Sequence, residues 1–210
     1  MINKVNLYIK KHLASNIGVY ALVLFFFLIG ISLGAISINS VSLEMKNQVI
    51  SYIEGFLKLA SNENFDSSLV LKQSIKLNLY SIIIIYLSGF LSLGVIIIPA
   101  YLIFRGYCLG FTIGFLAQNL GSNGFILSLV SILPQSTIYV PLIMVISVIG
   151  ISQSICKIRN RVVKKMDQSK IQALSYSISI VFLTLALIFG SLIESYITPV
   201  LVRIATPYLI

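Results

Sequence analysis

Two short runs hold most of the groups in this chain that could do chemistry. One is Arg105 with the glycines that follow it. The other is Leu133-Pro134-Gln135-Ser136-Thr137-Ile138-Tyr139-Val140-Pro141. Pro134 has no backbone N–H and frees a carbonyl one turn earlier, while Gln135, Ser136 and Thr137 place polar groups beside it. Two uses are open for such a run in an apolar setting. A broken helix with polar side chains can line a substrate path, or the hydroxyls satisfy backbone left open by the proline. No Asp, Glu, Lys or His accompanies the motif, which favours the structural use.

Other chemistry finds little to work with. His12 is the single histidine, so a histidine-based metal site within one chain is not available. Glu44, Glu54, Glu63 and Asp66 fall in one polar stretch with no His or Cys beside them, which is a poor setting for acid–base catalysis. No glycine-rich phosphate loop occurs, so the chain is not an ATPase by itself. We expect no enzyme activity, no catalytic residue, no cofactor and no metal. Cys108 and Cys156 both fall near the expected inner face, where a disulfide is not expected.

The elements that must hold these groups are dictated by hydropathy. Hydrophobic residues make up 58% of the 210 and charged ones 10%, and mean hydropathy is +1.00. A soluble domain of this size could not hide so much apolar surface, so the bilayer is the solvent for most of it. The net charge of +9 does not indicate nucleic acid, because the basic residues sit beside apolar runs and not on a soluble face.

The fold class is therefore an all-α integral membrane protein, a single membrane domain over 1–210. Five transmembrane helices are expected near 17–38, 77–98, 106–120, 125–150 and 172–192. The first apolar run is too long for a signal-peptide core, so it is read as a retained span. Pro99 interrupts the second span. Arg105, the lone charge in residues 77–120, is expected to mark the cytoplasmic turn after it or to snorkel to that turn. Pro134 and Pro141 kink or split the fourth span, and the tail from Glu194 forms only short interfacial pieces around Pro199 and Pro207.

Between the first two spans lies an outer polar loop, 39–76. Within it Met45, Val49, Ile53, Phe56 and Leu57 recur at helical spacing, which predicts an extracytoplasmic amphipathic helix. It could lie on lipid, pack on the spans or receive a partner. Gly106, Gly110 and Gly114 recur every four residues, and Gly30 with Gly34 forms a shorter version. Such a bare stripe lets a second helix approach closely, in the same chain or in a homo-oligomer.

Orientation follows from the basic stretch 157–170, which holds Lys157, Arg159, Arg161, Lys164, Lys165 and Lys170. With that loop and the N-terminus in the cytoplasm, ten basic residues lie inside and five outside. That imbalance satisfies the positive-inside rule and puts the C-terminus outside.

Phe104-Arg105-Gly106-Tyr107-Cys108-Leu109-Gly110-Phe111, followed by the Leu133–Pro141 run, resembles the stage II sporulation protein M family of endospore-forming bacteria. The basic stretch and the chain length fit as well, so the resemblance covers nearly the whole chain. In the wider family the second motif commonly reads Pro-His-Gly, then Glu, then Pro. Here Gln135, Ser136 and Tyr139 stand in place of the His, Gly and Glu, while Pro134 and Pro141 remain. The exchange removes both ionisable groups.

The resemblance implies a non-enzymatic scaffold of engulfment, in the mother-cell membrane as it migrates around the forespore. It also implies assembly with two membrane-anchored wall hydrolases, sporulation proteins D and P, which remodel peptidoglycan at the septum. The alternative is a transport or permease-type subunit using a polar path near Gln135.

Overall fold

The computed structural model describes residues 16–61, 67–163 and 167–209. Every regular element among them is a helix. They are α1 (Ile17–Ser37) with one 3-10 turn (Ile38–Ser40), α2 (Leu43–Ser61), α3 (Ser67–Phe90), α4 (Gly94–Val163) and α5 (Asp167–Leu209). Five stretches are long and apolar enough to cross a membrane: Ile17–Ser40, Val70–Phe90, Gly94–Pro134, Ser136–Asn160 and Gln172–Leu201. The chain is a multi-pass membrane protein.

The packing shows why lipid is required. Val23, Ile85, Ile98, Leu102, Ile143, Ile146 and Leu187 bury themselves between helices. Phe25, Phe182 and Phe189 stand outward, Phe182 73% exposed. An outer surface of phenylalanine is tolerable only against hydrocarbon.

Several boundaries differ from expectation, mostly because the prolines lie within helices and do not end them. Pro99 does not interrupt a span. It lies buried in the second turn of α4, where the missing N–H removes one intrahelical bond and the helix runs on. The chain turns earlier, between Phe90 and Gly94, where Leu91 N–H donates to Ser88 O and Gly94 N–H to Leu91 O. Ser154 Oγ, on the far arm of α4, donates to Leu91 O at 2.6 Å and ties the turn down. Gly94 is demanded by contact, since a Cβ there would run into the Ser88 carbonyl.

The third span is therefore the whole of 94–120, about 40 Å of helix rather than a short stub. Pro134 and Pro141 both sit in helical backbone, and the fourth span is continuous. The basic stretch is no loop up to Val163. It continues α4 by more than a turn, residues 167–170 already belong to α5, and 164–166 lie outside the described residues. The tail is likewise helical through Pro199 and Pro207 to Leu209.

The break inside α4 is Gly121, with φ 61° and ψ −142°. That conformation costs a side-chain-bearing residue because of its Cβ, yet nothing lies within 4 Å of where a Cβ would stand. The requirement is thus purely of the backbone. Gly121→Ala should lose about 1–3 kcal/mol of stability with no change in packing, read as a lower midpoint of thermal unfolding in detergent.

At one end of the bundle α2 packs on α5. Ser42 starts α2, its carbonyl accepting from Lys46 N–H at 3.0 Å and its Oγ from Met45 N–H at 3.4 Å. Val49 and Ile53 are half-buried and Met45 is exposed, while the side chains of Phe56 and Leu57 lie outside the described set. At the opposite end Lys157 Nζ donates to Phe90 O. There Asn160 Nδ2 donates to Gln172 Oε1 at 3.0 Å, joining α4 to α5.

Candidate functional site: an arginine between the spans

Arg105 does not mark a turn. It sits eleven residues into α4, roughly 16 Å along the helix from Gly94 and about 22 Å from Leu120. A hydrocarbon layer of about 30 Å places it well inside the membrane. Moving it there takes one from the ten basic residues expected inside and leaves nine against five, so the expected orientation is unchanged.

Three helical segments supply its surroundings. Arg105 Nε donates to Tyr101 Oη, one turn earlier on α4, at 2.7 Å. Nη2 donates to Ser81 Oγ on α3 and to Leu77 O at 3.4 Å. The guanidinium carbon lies 5.0 Å from the centroid of Tyr139, on the second arm of α4, and 5.8 Å from that of Tyr101. Both rings offer the cation a π face.

Ser81 is the hub. Its hydroxyl donates to Leu77 O at 2.9 Å and accepts from Arg105 and from Tyr139 Oη, the latter at 3.3 Å. One donor and two acceptor sites are all that a serine hydroxyl has, and each is used. A carboxylate is absent from the arrangement among the described contacts. Where the wider family carries Glu, Tyr139 gives the cation a ring face and gives Ser81 a phenol.

A polar seam continues along α3 toward the α2 end of the bundle. Ser74, Asn78 and Ser81 are buried at one-turn intervals, and Asn78 Nδ2 donates to Ser191 Oγ on α5 at 2.9 Å. In lipid such interhelical polar contacts hold spans together where the hydrophobic effect cannot.

The hydroxyls of the proline motif are used differently from the expected backbone repair. Ser136 and Thr137 both donate to the Leu133 carbonyl, at 3.3 and 2.7 Å. The carbonyl that Pro134 frees is that of Val130, so these hydroxyls do not repair the break. Both bonds lie on the exposed side of the helix, not in a path between spans. The Gln135 side chain lies outside the described set. What the motif contributes to the arginine cluster is Tyr139, one turn after Gln135.

The glycines fall on a single seam between α1 and the first arm of α4. A Cβ on Gly106 would meet Phe27 O, on Gly110 Ile31 O, and on Gly114 the Ile38 side chain. In return a Cβ on Gly30 would meet Ile103 O, and on Gly34 Tyr107 O. The stripe is therefore occupied within the chain.

The sequence alone does not pair Arg105 with Ser81 and Tyr101. The signal was there in the single charge of residues 77–120, since an ionisable side chain inside a span is a candidate site by default. Chemically the cluster can hold an anion or fasten helices. Arginine does not give up its proton, so it is no acid–base pair. Among the described residues no group of three His, Cys, Asp or Glu side chains could hold a metal ion.

Five apolar helices, a seam of glycines and an amphipathic helix at one end define a polytopic all-helical membrane protein. The family model for stage II sporulation protein M matches residues 23–199, most of the chain. The chain belongs to that family, a sporulation-related family of membrane proteins. No curated protein and no solved structure matches it.

Proposed function

We propose that the chain is a non-enzymatic scaffold of the engulfment machinery, assembling membrane-anchored peptidoglycan hydrolases where the mother-cell membrane migrates around the forespore. The carrying observation is membership of the sporulation family over residues 23–199. The architecture supports it, because α2 and the α5 surface it packs on give an external partner a place to bind. By family resemblance the partners are sporulation proteins D and P.

In this reading the end bearing Lys157 faces the mother-cell cytoplasm, and α2 with the end of α5 faces the wall. An impermeant maleimide should label Ser51→Cys in intact cells, and Arg159→Cys only after lysis, in a background with Cys108 and Cys156 replaced by Ser. Both positions are exposed. The opposite labelling pattern would reverse the map.

The test of function is recovery in mild detergent from sporulating cells, with both hydrolases expected in the eluate. Purified chain should release no muropeptides from wall sacculi. Release that disappears on changing Glu44 to Gln would instead make the chain an enzyme.

A further inference from the structure

We propose that Arg105 is an intramembrane docking site for a transmembrane helix of another protein that carries an Asp or Glu in its apolar segment. The acceptors around the guanidinium are two hydroxyls and a carbonyl, all neutral. No acidic residue occurs anywhere in residues 67–166, and none in α1. Among the described residues this cation is held by dipoles and ring faces alone, and at such depth it favours an anion brought from outside.

The site is open on one side. The bond to Leu77 O lies at the bundle surface. Leu77 is 48% and Phe104 59% exposed, and Cys108, one turn from Arg105, is exposed as well. These residues form an apolar rim around a charge, which suits an apolar helix bearing one carboxylate. A second copy of the chain fits less well: its α1, α3 and α4 bring no carboxylate, and the one in its fifth span, Glu194, lies 22 residues from the Gln172 end, against 11 residues from Gly94 for Arg105. Glutamate entering the groove would be held ionised by the guanidinium, accepting from Nη1 and, in place of the long bond to Leu77 O, from Nη2.

The scaffold reading explains why a partner span should be near, and the inference rests on it for that alone. The assay below uses no hydrolase, so failure of one reading is separable from failure of the other.

The full chain, with Cys156→Ser, is reconstituted in phosphatidylcholine vesicles with a polyleucine transmembrane peptide. The peptide carries a central Glu and a cysteine one turn away, and oxidative cross-linking to the native Cys108 reports capture. The Glu peptide should be captured about ten-fold better than its Gln counterpart. That preference should vanish in Arg105→Gln and persist in Arg105→Lys, which keeps the charge in a span that still folds.

Equal capture of the two peptides, or a preference that survives Arg105→Gln, would overturn the proposal. Loss of the preference on adding phosphatidylglycerol would also overturn it, making the anion a lipid headgroup. So would stronger capture in Glu194→Gln, which would show Arg105 already held by α5 of the same chain.

Discussion

Gly110→Leu should cost this protein its folded bundle. A Cβ at Gly110 would fall on the carbonyl, carbonyl carbon and Cα of Ile31, all of them backbone atoms of α1. A flexible neighbouring side chain could swing aside, but helix backbone can yield only if the whole of α1 moves. Gly106, Gly30 and Gly34 are pressed against backbone in the same way, so a shift that relieves one position strains the others.

Dispersion between close backbones is what binds α1, and a leucine side chain removes it over more than one turn. The expected loss is about 3 kcal/mol, at the upper end for overpacking. It would be read as a large fall in the thermal unfolding midpoint in detergent and as a much lower yield of monodisperse protein. Gly18→Leu is the control, since nothing lies within 4 Å of a Cβ there. Equal melting of the two variants would show that the seam is not under such compression.

How much of this was legible in the residues depends on which force set each feature. The count of spans follows from transfer energy alone, so it could be read from hydropathy. The α2 helix could be read from the spacing of Met45, Val49 and Ile53, because an amphipathic pattern at a surface survives without tertiary knowledge. The limits of the spans could not be read so well. In water a proline within a helix exposes a backbone carbonyl for solvent to take over. Between packed spans the freed carbonyl is shielded and helix is still the best backbone state available. Pro99, Pro134, Pro141, Pro199 and Pro207 all lie within helices.

The expected place of Arg105 depends on Pro99. A span that ends at Pro99 leaves the arginine at a turn, where a charge needs no explanation. The actual turn is written in smaller signals, Gly89 and Gly94 bracketing Phe90-Leu91-Ser92-Leu93, whose meaning depends on Ser154 from the next span. The arginine's partners are separated from it by 24 residues at Ser81 and 34 at Tyr139. Nothing local in the chain announces such pairs. The polarity of the Gln135 motif is contiguous, while the polar groups that meet between spans come from α3, α4 and α5 one at a time.

The paired change Val49→Asp with Ile53→Asp should separate the role of α2 from that of the spans. Both side chains are half-buried on α2, whose packing partner is α5. Two carboxylates one turn apart would repel each other and lose the apolar contact, so α2 should leave its seat. Of the spanning helices only α5 meets α2. Their core of Ile85, Ile98, Leu102 and Ile143, the glycine seam and the arginine cluster are all untouched. The variant should therefore insert in the membrane at normal yield and melt within a few degrees of the parent.

If partners dock on α2 and the α5 surface beneath it, recovery of both wall hydrolases from sporulating cells should fall by about ten-fold, the effect of losing a few apolar anchors at an interface. Engulfment should stall at the septum. Normal recovery of both hydrolases with α2 displaced would place docking within the membrane instead. The carboxylate-bearing span at Arg105 would then be the main attachment, and α2 a cover for the end of α5.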